Sequence, residues 1–544
     1  MIFRRVFLHT ILLCFIGVTI WFAISPRSSN PLMDLDEAVV KQYAWGNYQG
    51  KSLDQFIKRG DPLDASWYVW YNYYITRDKD QATKDLDKII VAWNLYETHH
   101  LTYGYAWNNI PAGWWSSMDM LLLPMTLLAV GNDTGNKKYI ELAKEMVYRA
   151  VESPERGGSL WPDSGSGCWF SEYSWPGMTR DVDEYFVMNG HLYSLTALKI
   201  IANALNDTRL QRAFDCAEKG TKFLAEKFVP DGEWPRYMLV PDTINPPHYV
   251  IFELIQLGGL YKLTGDSFYE EQRAKRSFIL ERQYPIYKVT TKAGHFLFFS
   301  SIGAPHPYNP DLFATNLICR DTKGVAYKSL QTGSADHWRN NFKIMEIGNN
   351  AIRSCDLYSV RDDGTEYKVY TTDQFVEIAQ ESPSSLTYHT EVSLDAYNDI
   401  DGNIWIDPAR RFSTGEESSY LDTEGRITMQ FAPQILSDRS MFAFEIEPDS
   451  DIKIGILFWQ GDHVISRYYP TIHKGKNNLV AISHLGFDGA YAINAVDRIT
   501  IRIYTDNLQN KATVNLGRLF FLKNQYELFQ VLESDASEML IKIE

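Results

Sequence analysis

Tyr139-Ile140-Glu141-Leu142-Ala143-Lys144-Glu145-Met146-Val147-Tyr148-Arg149-Ala150 sets the reading of the chain. Tyr139, Ile140, Ala143, Met146, Val147 and Ala150 recur at i, i+1, i+4, i+7, i+8 and i+11, which draws one apolar stripe along a 3.6-residue helix. Upstream, Leu86, Ile89, Ile90 and Trp93 give another stripe. Downstream, Leu210, Ala213, Phe214, Ala217 and Leu224 repeat it, with Asn206 or Asp207 placed to cap the helix. Further helices are expected around Ser66–Thr76, Ser116–Val130, Phe186–Leu205 and Tyr249–Leu263. The helical pattern therefore runs from about Asp34 to Gln272.

The joints are rich in Gly, Pro and Trp: Ile110–Trp115, Gly157–Trp169, Val229–Arg236 and Asn245–Pro247. Paired helices with such joints predict an α/α toroid, an incomplete (α/α) barrel whose loops at one end line a cleft. No repeat of solenoid length is present. After about Ile286 the period changes to two. In Arg498–Tyr504 (RITIRIY) Ile499, Ile501 and Ile503 face one way, and Phe442, Phe444 and Ile446 and then Ile427, Met429 and Phe431 do the same. The expected architecture is a multidomain α+β chain. Residues 1–30 are an anchor or signal with a tether, 31–285 the toroid, 286–415 a mixed and mostly strand-like connection, and 416–544 an antiparallel β-sandwich suited to carbohydrate binding.

With 544 residues the chain exceeds one ordinary domain, and 45% hydrophobic with 22% charged residues is a globular composition. A net charge of −15 excludes a general nucleic-acid partner, which needs a basic face. A local basic groove is compatible with it. Arg4 and Arg5 precede an apolar run from Val6 to Ile24, about the length that crosses a bilayer, so a single membrane pass with the bulk on the non-cytoplasmic side is expected. Cleavage near Ala23 and Ser25 would instead give a secreted protein; both readings export the chain. The cysteines outside that run, Cys168, Cys216, Cys319 and Cys355, lack zinc spacing, and the sequence leaves thiol or disulfide open.

No dinucleotide fingerprint, phosphate loop, HExxH or nucleophile elbow is present, so neither cofactor nor metal is expected. The densest chemistry lies in Trp169-Phe170-Ser171-Glu172-Tyr173-Ser174-Trp175-Pro176 and in the helix start Phe186-Val187-Met188-Asn189-Gly190-His191-Leu192-Tyr193-Ser194-Leu195. Gly232-Glu233-Trp234-Pro235-Arg236-Tyr237-Met238 follows. Then His248-Tyr249 opens a helix with Glu253 and Gln256 at i+4 and i+7 from the tyrosine.

This succession, with Gly113-Trp114-Trp115-Ser116-Ser117-Met118 ahead of it, resembles the C-terminal domain of heparosan-type D-glucuronyl C5-epimerases over about a third of the chain. The F-V-x-N-G-x-x-Y-S-L element is its most specific part. The resemblance implies removal of the C5 proton of a uronic acid in a polymer and reprotonation from the opposite face. Tyr173 and Tyr249 match catalytic tyrosines, Arg236 an arginine suited to the carboxylate, and Glu172 the neighbouring glutamate. Such a reaction needs two acid/base groups flanking the ring and donors for the charged intermediate. Trp114, Trp169, Trp234 and Tyr237 offer faces for sugar rings, and Asn189 and Glu253 offer polar contacts.

There are departures from the family. Trp234 stands where it has a further tyrosine, Glu253 where it has a histidine, and Gly177–Tyr185 is inserted. The family's β-rich domain also precedes its helical one. The implied partners are an acidic polysaccharide and a membrane, with a homodimer left open. Three other readings remain open: a polysaccharide lyase using the same proton abstraction, an inverting hydrolase using paired carboxylates such as Asp119, Glu172, Asp183 or Glu184, and a non-catalytic polysaccharide binder.

Overall fold

The computed structural model describes Asn30, Leu32, Leu35, Val39, most residues from 52 to 379, and strands between 390 and 522. Residues 1–29, 40–51, 180–185, 302–312, 333–340, 380–389, 392–402, 406–423 and 523–544 are among those outside this description, so the apolar run at 6–24 is too. Among the described residues no helix is long and apolar enough to cross a membrane.

The described helices are α1 (Leu53–Arg59), α2 (Pro62–Thr76), α3 (Lys79–Ala92), α4 (Leu95–Thr98), α5 (Ser117–Thr134), α6 (Lys137–Ala150), α7 (Met188–Leu205), α8 (Thr208–Phe228), α9 (Pro247–Thr264) and α10 (Ser267–Gln283). Eight of them form four hairpins: α2/α3, α5/α6, α7/α8 and α9/α10. Each hairpin turns on the same two-residue device. A left-handed cap (Arg77, Gly135, Asn206 or Gly265) ends the first helix, and the next residue (Asp78, Asn136, Asp207 or Asp266) caps the second. The left-handed residue turns the chain, and the side-chain oxygen that follows accepts N–H groups a new helix would otherwise leave open. Asp207, for example, accepts from Arg209 and Leu210.

The first helix of each hairpin is apolar nearly all round and the second carries one stripe, as sequence burial requires of an inner and an outer row. Fifteen of the 18 residues of α5 are buried, against six of 14 in α6. The inner row runs α2–α5–α7–α9, each packed on the next. Polar bonds fix its register: Trp67 Nε1 donates to the Tyr193 hydroxyl at 2.6 Å, Ser194 to Ser117 at 2.7 Å, and Gln256 Nε2 to the Asn189 carbonyl at 2.8 Å. At the short-turn end, Asn30 donates to the Ala129 carbonyl and to Asp133, which also binds the Tyr73 hydroxyl.

At the other end the connections are long. One spans 93–116, one spans 151–187 with the short strands β1 (Leu160–Trp161) and β2 (Trp169–Phe170), and one spans 229–246 with the hairpin β3 (Arg236–Leu239) and β4 (Asp242–Ile244). The middle loop is pinned to α8 by the Cys168–Cys216 disulfide. There Gly167, at φ +100°, crosses Gly220 so closely that a Cβ on Gly220 would stand 2.1 Å from the Cys168 carbonyl oxygen. Gly220→Ala should therefore lower stability by about 2 kcal/mol or more, the scale of overpacking against backbone that cannot yield; urea unfolding measures it.

Residues 287–379, expected as a mixed connection, form two four-stranded sheets. Their strand orders are 376–379/287–291/294–301/341–346 and 366–372/352–361/313–321/326–332. Cys319 and Cys355, opposite each other in the second, form a disulfide. These sheets share the helical core through Leu297, Phe299, Leu317 and Leu357, and the Tyr370 hydroxyl donates to the Tyr284 carbonyl at 2.7 Å. A five-stranded and a six-stranded antiparallel sheet follow, between 390 and 522. Ile499 and Ile501 are buried in the latter, as the alternation requires.

Candidate active site

The long loops and the N-termini of all four inner helices meet around a cavity of about 260 Å³. Asp61 and Leu63 reach it from the start of α2, Ser116 and Met118 from α5, Asn189 from α7, and His248, Tyr249 and Phe252 from α9. Each inner helix presents the positive end of its dipole here, roughly +0.5 charge apiece. No Lys or Arg is among the described residues lining the cavity. Arg59, close by, pairs with Asp61 at 2.7 Å and Asp64 at 2.6 Å.

One wall is aromatic. Tyr103 and Trp114 stack at 3.6 Å, Trp107 lies 6.0 Å from Trp114, and Trp107 tilts over Tyr173 at 4.9 Å. Trp107 is 40% exposed, an indole left at the mouth rather than packed away. Opposite, the phenols of Tyr173 and Tyr237 share a hydrogen bond of 3.1 Å, and the Tyr237 ring stacks on Tyr249 at 5.4 Å. Glu172 lies within hydrogen-bonding reach of Tyr173. Burial pushes the Glu172 carboxyl up to about 7, against the lowering effect of that bond. Burial, and then the Glu172 charge, hold the Tyr173 phenol well above its ordinary range, so it rests protonated. Oε2 of Glu172 and Oδ1 of Asn189 are buried acceptors without donors.

The Glu172–Tyr173 loop is held from behind by His191 on α7. His191 Nδ1 accepts the Phe170 N–H at 3.0 Å, so its Nε2 carries the proton and donates to Thr221 on α8 at 2.8 Å. Burial lowers His191 to about 3, and burial with the Arg149 charge lowers His100 to about 4. Both lie below the ordinary 6.5, so the unfolded chain binds protons that the folded one refuses. Their contribution is complete above pH 6.5 and is lost as pH falls through 4 to 3. Glu172 has the opposite sign: its contribution is complete below its ordinary range and lost as pH rises through 7. The unfolding temperature should thus fall from pH 6.5 to 4, and Glu172→Gln should steepen the fall.

Tyr173, Tyr249, Tyr237, Glu172, Asn189 and Trp114 are brought together, and Tyr173, Tyr249, Glu172, Asn189 and Trp114 line the cavity itself. Four expected residues sit elsewhere. Tyr237 is the extra residue of a bulge in this hairpin, and while it meets Tyr173, Arg236 turns to the C-terminus of α8. There it donates to the Lys227 carbonyl at 2.7 Å and stands 3.7 Å from Glu233. Trp169 is buried between His191, stacked at 3.7 Å, and Phe228. Trp234 is buried and donates to the Asn245 carbonyl at 2.6 Å. Glu253 is spent on a buried ion pair with Arg276 at 2.5 Å and on Asn245 at 2.8 Å.

Of the alternative carboxylates, Asp119 is wholly buried, is pushed well up by burial, and lies off the cavity; Asp183 and Glu184 lie outside the described residues. Sequence reading missed Asp61, Tyr103, Tyr105 and Trp107 and gave His248 no role. The aromatic alternation Tyr103-Gly104-Tyr105-Ala106-Trp107 was the available signal. Among the described residues no group of His, Cys, Asp or Glu is arranged to hold a metal.

Residues 87–277 match the family described as D-glucuronyl C5-epimerase C-terminus, the family that the motifs resemble. No curated protein matches the chain. Similar solved structures include an unsaturated glucuronyl hydrolase from Bacillus sp. GL1, at 13% identity over 47% of this chain and 76% of that one, with a TM-score of 0.31. A protein from Listeria innocua matches at 14% identity over 47% and 62%, with a TM-score of 0.27. A polysaccharide lyase matches at 19% identity over 44% and 64%, with a TM-score of 0.29. The chain spans less than two thirds of the length of the last two.

Proposed function

We propose that the chain is a uronyl C5-epimerase acting on a uronic-acid-containing polysaccharide. The observation that carries this reading is the family match over 87–277, the stretch that supplies Tyr173, Tyr237 and Tyr249 to one site. Breaking the C5–H bond sends its electron pair into the carboxylate, giving a dianion. The converging N-termini of α2, α5, α7 and α9 supply the field such an intermediate needs, in place of Arg236.

Tyr173, protonated at rest, donates its proton to C5 on its face and takes a replacement from protonated Glu172. In the reverse direction its oxygen takes the C5 proton while its own proton passes to ionised Glu172, which avoids a buried phenolate. Tyr249 serves the opposite face, as phenolate when it takes the C5 proton and as phenol when it returns one, and Tyr237, bonded to one phenol and stacked on the other ring, positions both. Tyr103, Trp107 and Trp114 form the platform for neighbouring sugars.

The helical part is the catalytic domain. The two C-terminal sheets pack as a sandwich beside it, supported by Phe442 of one sheet meeting Phe458 of the other edge-on at 5.5 Å. Display on the non-cytoplasmic side of a membrane, through the run at 6–24, is supported by the two disulfides, which suit an oxidising compartment. Incubation with uronate polymers separates the readings. Epimerisation gives new C5-epimer resonances with chain length unchanged. A 4,5-double bond absorbing in the ultraviolet would mean a lyase, and new reducing ends without that absorbance a hydrolase.

A further inference from the structure

Trp234 and Glu253, both turned away from the cavity, end on one residue, Asn245, the last before the two prolines that open α9. Asn245 is fully buried. Its carbonyl accepts Trp234 Nε1 at 2.6 Å, its N–H donates to the Pro235 carbonyl at 3.0 Å, and its Nδ2 donates to Glu253 Oε1 at 2.8 Å. The other oxygen of Glu253 accepts from Arg276 Nε, on α10, at 2.5 Å. Arg276 Nη1 donates to the Gln272 carbonyl at 3.2 Å, one turn back on its own helix. Both members of the ion pair are 1% exposed. Desolvation makes such a pair a poor source of net stability, whereas its directional bonds can fix one conformation.

The path from Asn245 to the phenols is short on both sides. Toward α9, Pro246 and Pro247 have ring-locked φ and leave little slack before His248 and Tyr249. The N–H groups of Tyr249 and Val250 both bond the Pro246 carbonyl, at 2.9 and 3.2 Å. Glu253 stands one helical turn beyond Tyr249, so its carboxylate ties the first turn of α9 back to the loop that precedes it. Toward the hairpin, the Trp234 and Pro235 bonds hold the residues just ahead of Tyr237. Tyr237 and Tyr249, stacked at 5.4 Å, are thus mounted on the two sides of one clamp. Tyr173 has a separate anchor, the bond from the Phe170 N–H to His191.

We propose that Arg276, Glu253 and Asn245 form a positioning clamp that sets Tyr249 against the sugar face it serves. A residue of the outer helix row, remote from the cavity lining, then controls proton transfer on one face alone. The proposal rests on the two-phenol epimerase reading. It also gives a use to Glu253, which departs from the family's histidine at this position.

The test uses the full chain with Asn245→Ala, with Arg276→Met, and with Glu253→Gln and Arg276→Met combined. C5 deuterium exchange is measured separately on each epimer of a uronate polymer, together with KM and the unfolding temperature. The epimer served by Tyr249 is the one whose exchange Tyr249→Phe abolishes. Asn245→Ala should slow exchange on that epimer by about 10- to 100-fold, the scale of a displaced catalytic group. Exchange on the other epimer should stay within a few-fold of wild type, and KM should change little. Arg276→Met should give the same split with a lower unfolding temperature, because it leaves a buried carboxylate without its cation. The double variant keeps an acceptor for Asn245 Nδ2 without the buried charge, so it should recover most of the lost exchange. If Arg276→Met does not fold, Asn245→Ala decides, since the ion pair stays intact in it. Equal losses on the two epimers, or losses that track unfolding temperature alone, would overturn the proposal. If the wild-type protein exchanges C5 on no uronate polymer, the epimerase reading fails and backbone amide exchange judges the clamp. Faster exchange at Tyr249 and Val250 in Asn245→Ala, with Ser174 (bonded to the Trp115 carbonyl at 2.9 Å) unchanged, supports it; unchanged amides at Tyr249 and Val250 overturn it.

Discussion

Tyr173→Phe and Tyr249→Phe should each lower turnover by ~10²–10⁴-fold, the usual worth of a positioned proton donor or acceptor. Each substitution keeps the ring and removes one hydroxyl, so the stacks of Tyr173 under Trp107 and of Tyr249 on Tyr237 survive. Unfolding temperatures should change little. The two variants should fail differently: each should still exchange the C5 proton of one epimer, through the phenol that remains, while losing net inversion. Arg236→Ala should leave exchange within a few-fold of wild type, because its guanidinium is engaged at the end of α8. Rates measured separately on each epimer decide this.

Gly190→Ala should be nearly as damaging without replacing a proton-transfer group. A Cβ there would lie 2.2 Å from Glu172 Oε2, 2.8 Å from its Cδ and 2.9 Å from its Cβ. The whole buried side chain must move, and with it the group that exchanges a proton with Tyr173. We expect turnover to drop by ~10²-fold or more, the scale of losing general acid–base assistance. In wild type, kcat/KM in the direction where Tyr173 is the base should rise with pH to a plateau above about 7, where Glu172 is ionised. Gly190→Ala and Glu172→Gln should both lose that limb. A merely structural role for Gly190 would lower the amplitude and keep the limb.

Much of the helical part was legible because its signals are local. The stripe of Tyr139–Ala150 and the Asx caps after left-handed residues depend on neighbours a turn away, and the expected helices at 66–76, 116–130, 186–205 and 249–263 overlap α2, α5, α7 and α9, those at 116 and 186 starting one and two residues early. The strands at 441–448 and 496–504 were legible by their period of two. Residues 287–379 were not, since their sheets bury residues against helices as well as against one another, which blurs simple alternation.

The site was half legible. Motif position brought Tyr173 and Tyr249 to the lining of one cavity, but could not tell that a bulge at Tyr237 leaves Arg236 at the end of α8. Trp169, Trp234 and Glu253 carry side chains a sugar site would use, yet each is occupied by a buried partner that only tertiary structure reveals. Asp61 and the Tyr103–Trp107 wall come from loops with no matched motif, and they join the cavity because the inner helices all start at that end.

The central claim is that phenols on two arms of one cavity carry a proton to and from C5 of a uronate. Deuterium incorporation at C5 of an intact uronate polymer in heavy water tests it most directly, followed by NMR for the protein and for Tyr173→Phe with Tyr249→Phe combined. The wild-type protein should place C5 deuterium in both epimers without chain cleavage, and the double variant should incorporate no deuterium above background. Wild-type exchange persisting in the double variant would contradict it.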